Sequence, residues 1–310
     1  QKEPERIFMI TIKHPIDFPD TYPLDRIGPL KDILFFDIET TGFSGETSQL
    51  YLIGCTYFDG FGWKLIQWFA DTKAAEKDLL DHFFDFLKQY KTVVHFNGDG
   101  FDIPFLQKRC KHFNLPYSFS DVASFDIYKK VKPYRNLLGL DSLKQKSIEQ
   151  FLGIARTDKY NGGQLIEVYK DYLMTHEQNL YDLLILHNED DLKGMPSILP
   201  ILNYPDFLEH PFTLSDQEIV DEPDANGHCR HLLKLTCKSF CSIPVPVKAS
   251  MAPARCTMEK DQITFFVELT EGTLKHFYPD YKDYYYLPFE DRAVHKSIGS
   301  CVDKDARVKA

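Results

Sequence analysis

The apolar positions of this chain follow two periods. Residues Ile33 to Phe36 are four large apolar side chains in a row, the pattern of a strand buried on both faces, and the run ends in Asp37-Ile38-Glu39. Segments 33–38, 50–57 and 62–69 predict three consecutive strands joined by short glycine-containing turns, such as DGFG at 59–62. From 74 to 90 the period changes, with apolar residues at 79, 80, 83, 84, 86 and 87 on one helical stripe. TVVHF at 92–96 predicts a short buried strand, a helix begins near Asp102, and SFDIY at 124–128 predicts a fifth strand. Helical patterns near 141–152, 162–176 and 178–197 follow. A three-strand meander followed by alternating helices and strands implies an α/β chain, with one mixed sheet covered by helices.

The texture changes after residue 203. Segment 203–227 carries seven acids, three prolines and no Lys or Arg, and reads as a join between two regions. Beyond it KLTCKSF, PVPVKAS, ARCTMEK and QITFFVELT predict strands, the last two a hairpin turning near Lys260–Asp261. The expected division is an N-terminal extension 1–32, an α/β domain 33–202, an acidic linker 203–227 and a β-rich region 228–310. FYPDYKDYYYLPF, 277–289, holds seven aromatic rings in thirteen residues. It reads as a small satellite core with interface surface, base stacking being the sharper alternative.

Composition narrows the class. With 43% apolar and 26% charged residues in 310, the chain builds a sizeable core without disulfide staples. No apolar run approaches the ~20 residues of a membrane span, and no signal-peptide pattern opens the sequence. Seven cysteines, an odd number, suggest reduced thiols and a cytoplasmic location. HCRH at 228–231 with Cys237, Cys241 and Cys256 matches no familiar zinc spacing, so ordinary thiols are expected there. A net charge of −10 argues against binding nucleic acid by bulk electrostatics, yet leaves room for an enzyme with a local basic strip and bound ions. Such a strip exists: from Lys129 to Lys159 there are eight basic residues against three acids. Lys129, Lys130, Lys132 and Arg135 are its candidates for holding a phosphate backbone, solvated loop charge being the plainer reading.

Three acidic stations carry the candidate chemistry. Asp37 and Glu39 alternate on a strand end and therefore face the same way. Asp102 follows in Asn97-Gly-Asp-Gly-Phe101-Asp102, the turn after VVHF. His187 and Asp191 stand four apart in an amphipathic helix and share a face. Asp190 competes with Asp191 but lies a further ~100° round the helix, so Asp191 is preferred. Carboxylates from separate elements converging at strand ends make a site for hard divalent cations. Two such ions can activate a water and stabilise the leaving oxygen of a phosphodiester.

In this order the stations resemble the three motifs of the DEDD 3′–5′ exonucleases, and the chain looks most like the YprB-like, predicted ribonuclease H-like proteins of bacteria. The resemblance covers roughly residues 33–200 and implies a ribonuclease H-like fold. It implies that Asp37, Glu39, Asp102 and Asp191 ligate two ions, Mg²⁺ or Mn²⁺. Thr40 and Thr41 would hold the terminal nucleotide, Phe43 would lie against the last base, and Asn97 would shape the cleft. The implied partner is nucleic acid, as single-stranded 3′ ends. One departure stands out. The family's third motif places Tyr three intervening residues before Asp, or His four before; here His187 has the Tyr spacing. The His spacing would make Leu192 a metal ligand, which is impossible, so His187 takes the Tyr position. An imidazole there can accept the proton of an attacking water near neutral pH. The alternatives are a binding module on the same fold that has lost turnover, or an endonuclease or proofreading-type nuclease.

Overall fold

The computed structural model of the protein describes residues 9–154, 162–273, 276, 278–299 and 301–309. Arg156 and Lys159 of the basic stretch, and Phe277 of the aromatic one, lie outside them. The chain divides into two compact units, residues 1–268 and 269–310.

The larger unit contains a mixed sheet of six strands: β1 (Met9–Pro15), β2 (Ile33–Thr40), β3 (Leu50–Phe58), β4 (Trp63–Ala70), β5 (Thr92–His95) and β6 (Ala123–Asp126), in the order β1-β4-β3-β2-β5-β6. The meander β2–β4 is antiparallel, whereas β5 and β6 run parallel to β2. Helices α1 (Glu76–Leu87), α2 (Asp102–His112), α3 (Ile127–Val131), α4 (Gln145–Phe151), α5 (Gly162–Thr175) and α6 (Gln178–Ile198) follow or connect the strands. The strands and helices expected over 33–198 are thus present, with ends shifted by a few residues.

Strand β2 explains why one run of sequence serves two cores. Leu34, Phe36 and Ile38 pack on one face with α1, α2 and α5. Ile33 and Phe35 pack on the other, with α3 and residues Leu192, Met195 and Ile198 of α6. Alternation then sends Asp37 and Glu39 toward the face that α6 crosses.

Two of the expected divisions differ from the structure. Residues 9–15, read as part of an extension, are an edge strand paired to β4 from Met9↔Ala70 to Pro15↔Lys64. Phe18 then stacks on Trp63 at 3.7 Å between ring centroids. The stretch read as an acidic linker is helix α7 (Asn203–Glu209) and strand β7 (Thr213–Pro223), the latter paired to β8 (Cys229–Lys238). Its acids meet basic partners elsewhere in the same sheet, each at 2.6 Å: Glu218 with Lys234 and Asp221 with His231, directly opposite on β8, and Glu222 with Arg255, two strands further on. Charge that looks like linker in one dimension is cross-strand pairing in three.

With β9 (Val247–Met251), β10 (Ala254–Glu259) and β11 (Gln262–Glu268), these strands form a sheet ordered β7-β8-β11-β10-β9. The β10–β11 hairpin turns at Lys260–Asp261, as expected, with Lys260 at φ +55°. Ile243, Val247, Met258 and Ile263 share a core with Ile198, Leu199, Tyr204 and Phe207, so this sheet is built onto the α/β layers. The smaller unit carries a three-stranded sheet in which β12 (Tyr284–Leu287) lies between β13 (Arg292–His295) and β14 (Val308–Lys309). Tyr278 stacks on Tyr284 at 4.8 Å, and Phe289 is exposed. No described helix is long and apolar enough to cross a membrane.

Candidate active site

The site forms where β2 outruns its parallel neighbour. Pairing of β2 with β5 stops at Phe35↔Val94, so the next residues of β2 project past the sheet on that side. The Asp102 carboxyl, at the start of α2, lies near the Ile38 amide and close enough to Asp37 and Glu39 for its charge to raise both. A register shift follows between Glu39 and Thr40. Such a bulge ends regular pairing beside a site and re-aims the side chain next to it.

Helix α6 closes the other side through a row of three residues. Asp37, Gly54 and Gln67 are successive cross-strand partners on β2, β3 and β4. Asn188 of α6 spans this row: its amide donates to Asp37 Oδ2 at 2.9 Å, and its carbonyl accepts from Gln67 Nε2 at 2.9 Å. A Cβ on Gly54 would stand 2.0 Å from Asn188 Oδ1 and 2.5 Å from Leu192 Cδ1, so only glycine admits the helix this close. The same turn of α6 presents His187, whose Nε2 lies 3.4 Å from Asp191 Oδ2 and 3.8 Å from Glu39 Oε1. Glu39, His187 and Asp191 each offer a donor atom within 4.8 Å of the other two.

The electrostatics are those of a crowded carboxylate cluster. Burial pushes Asp37 well above the usual carboxylate range; the charges of Asp102, Glu39 and Asp191 push it further, and the Asn188 hydrogen bond offsets part of this. Glu39 is raised by burial and then by Asp191 and Asp102, against a hydrogen bond from Tyr51. Asp102 is pushed up to about 7 by burial, although two backbone amides oppose the rise. Among the described residues, no Lys or Arg forms an ion pair with Asp37, Glu39 or Asp102. A carboxylate cluster in which Asp37, Glu39 and Asp102 have no Lys or Arg partner among the described residues fits hard divalent cations, which need oxygen ligands and supply the missing charge.

The turn behind Asp102 is held by buried polar groups. Asn97 adopts φ +62°, and its amide donates to Asp126 Oδ1 at 2.9 Å. Asp126 also caps α3 by accepting from the Lys129 amide. His95, 1% exposed, accepts the Gly98 amide at Nδ1 and meets the Ser124 hydroxyl through Nε2 at 2.8 Å. Burial holds its pKa below the ordinary imidazole value. Opposite, the loop after β2 is lashed to α2: Arg109 binds Glu76 with two hydrogen bonds, 2.5 and 2.7 Å, and donates to the Gly45 carbonyl at 3.1 Å.

The remaining candidates fall at varied distances from this chemistry. Thr40 donates its hydroxyl to the Gly42 carbonyl at 2.8 Å, and Thr41 Oγ1 accepts the Gln49 amide at 2.9 Å, so both hydroxyls shape the loop. Phe43 is 91% exposed and meets Phe101 edge-on at 6.2 Å. Asn97 lines a cavity of about 490 Å³ with Phe96, Tyr128, Arg135 and Lys144. Lys129 is paired to Asp99 at 2.6 Å, while Lys130 and Lys132 lie over the rings of Phe125 and Tyr128 at 5.7 and 5.8 Å. Arg135 donates to the carbonyls of Leu140, at 3.1 Å, and Asp141, which braces the chain before α4. Sequence reasoning missed Asn188, Gln67 and Gly54. The signal available was a glycine and a glutamine in largely apolar strands, both under a helix bearing an acidic station.

Comparison with known proteins agrees with this architecture. A family model, RNase_H_2 of the RNase H superfamily, matches residues 34–203, more than half of the chain. The chain belongs to that family, whose fold is the ribonuclease H-like one expected from the sequence. In sequence it is 27% identical over 123 residues to a DNA polymerase of Thermococcus sp. (strain 9oN-7), covering 34% of this chain and 16% of the polymerase. Among solved structures it is similar to a family B DNA polymerase of Pyrobaculum calidifontis, with a TM-score of 0.46, 18% identity, and 57% of this chain against 25% of that one. It is also similar to a zinc-ion-bound E. coli exonuclease I–single-stranded DNA complex, with a TM-score of 0.32, 14% identity, and 68% of this chain against 55% of that one. The chain therefore spans about a sixth of the polymerase it matches in sequence.

Proposed function

We propose that this chain is a divalent-metal-dependent nuclease that removes nucleotides from the 3′ ends of single-stranded DNA or RNA. The observation that carries the reading is the convergence of Asp37, Glu39, Asp102 and Asp191, from a strand and two helices, with burial and mutual repulsion raising three of them. When bound there, two ions, Mg²⁺ or Mn²⁺, would activate the attacking water and stabilise the departing 3′ oxygen. The chain's own residues orient and shuttle. Asn188 fixes the Asp37 carboxylate, and the nearby Tyr51 hydroxyl favours the charged form of Glu39. His187 Nε2, between Glu39 and Asp191, is placed to accept the proton of the attacking water. Phe43, exposed at the loop rim, offers a face for the terminal base. Exposed Lys130 and Lys132 are free of carboxylate partners in the described ion pairs and can meet phosphates, whereas Lys129 has first to leave Asp99.

Asp37→Ala and Asp191→Ala test the reading, because each removes one proposed ligand; Asp191 is part-exposed, whereas Asp37→Ala also frees the buried Asn188 amide, so its fold is checked by circular dichroism. Each is expected to lose activity by more than the roughly 100-fold that losing a ligand's hydrogen-bond partner costs. Activity that survives both substitutions unchanged overturns the proposal, and a circular single strand cut as fast as a linear one overturns its exonuclease part.

A further inference from the structure

Remote in sequence from the carboxylate centre, three side chains of different chemistry meet on the β7–β8 hairpin. Asp221 is the cross-strand partner of His231, and Pro223 that of Cys229. Directly opposed residues share a face of a sheet, and residues two apart along a strand return to it, so Asp221, Cys229 and His231 all point the same way. A donor atom of each lies within 4.8 Å of the other two. The tightest contact, His231 Nδ1 to Asp221 Oδ1 at 2.6 Å, is a hydrogen bond, so an ion bound here replaces the shared proton and spreads the two groups slightly. All three residues are exposed, so an ion reaches them without any opening of the fold.

The donor set decides the class of ion. A thiolate, an imidazole and a carboxylate form a borderline-soft set that suits Zn²⁺, and three protein ligands leave one tetrahedral position for water. Mg²⁺ dehydrates reluctantly and takes oxygen ligands, so it has little to gain from sulfur. The four-carboxylate centre has the opposite preference. No CxxC-type spacing announces this set; strand register assembles it, which is why the order of residues alone does not reveal it.

We propose that Asp221, Cys229 and His231 form a second metal site, of the zinc class, that clips the edge strand β7 to β8. Strand β7 is exposed along most of its length and has a neighbour on one side only. A bound ion adds a cross-link at the end of the hairpin where the ladder finishes at Pro223↔Cys229. It also masks the Cys229 thiol, which is otherwise exposed on the surface.

Cobalt is the probe, since it takes the place of zinc and reports sulfur ligation directly. The full chain, reduced and metal-free, is titrated with Co²⁺ while thiolate-to-cobalt charge transfer is followed in the near ultraviolet. The expected result is a band that saturates at one equivalent, bleaches on addition of Zn²⁺ but not Mg²⁺, and disappears in Cys229→Ser and His231→Ala. The band is retained in Asp37→Ala and Asp191→Ala, which separates this site from the carboxylate centre. Cys229→Ser changes one exposed atom and leaves folding intact. A wild-type protein without the band, or a band of full amplitude in Cys229→Ser, overturns the proposal.

Discussion

Replacing Gly54 by alanine tests how the site is held together. The added Cβ would lie 2.0 Å from Asn188 Oδ1 and 2.5 Å from Leu192 Cδ1. Ordinary carbon contacts fall at about 3.5–4.0 Å, so the helix and strand have to part by about 1.5 Å. Neither neighbour can swing aside cheaply: Asn188 and Leu192 are both fully buried, and Asn188 is tied to Gln67 and Asp37. Overpacking of this kind costs about 1–3 kcal/mol. Loosening two buried hydrogen bonds adds about 1 kcal/mol each. The sum is about 3–5 kcal/mol of stability. Activity falls for a separate reason, because α6 carries His187 and Asp191, and a displacement near 1 Å at reacting groups costs about 100-fold. Urea denaturation gives the first quantity and the initial rate on a labelled single strand gives the second. A Gly54→Ala protein within about 0.5 kcal/mol of the parent and equally active refutes the claim that this contact seats the helix.

Other expectations follow from the electrostatics. Burial pushes the Asp102 carboxyl up to about 7, from the 3.8 of an ordinary aspartate, which stands for the unfolded chain. The stabilisation from its bound proton is therefore fully present below 3.8 and is lost as pH rises through about 7, a swing of a few kcal/mol. Divalent ions replace that proton, so Mn²⁺ should raise the melting temperature clearly at pH about 8 and little at pH about 5. Equal shifts at both values, by scanning fluorimetry, contradict the cluster. Arg109→Leu leaves Glu76 buried without its partner and releases the Gly45 carbonyl; a loss of about 3–5 kcal/mol is expected by denaturant titration. A loss under about 1 kcal/mol would mean that the pair does not anchor the loop after β2.

How far the fold was legible from sequence depended on whether each element's partners were local. The run Ile33–Phe36 and the helical stripes announce themselves, because burial on two faces or one stripe leaves a periodic trace within a few residues. The stations Asp37–Glu39, Asp102 and His187–Asp191 were likewise visible, since each is a charge at the end or on the face of an apolar element. Edge strand β1 was not, because three of the seven residues of MITIKHP are polar and its pairing to β4 spans about fifty to sixty residues. Strand β7 was hidden by acids whose basic partners sit on β8 and β10. Asn188 is the clearest case: an asparagine beside acids reads as surface, and only its bonds to Asp37 and Gln67 across Gly54 show it to be a buried support. Contacts of that kind are set by tertiary packing, which local pattern does not record.

The most direct measurement is a product time course on single strands labelled at the 3′ or the 5′ end, as DNA and as RNA, with Mn²⁺ or Mg²⁺ and with chelator. The account predicts mononucleotides released at once from 3′-labelled strands, a ladder shortening one nucleotide at a time from 5′-labelled strands, and no turnover with chelator or in Asp37→Ala. Metal-independent cleavage, or mononucleotides released first from the 5′ label, would contradict it.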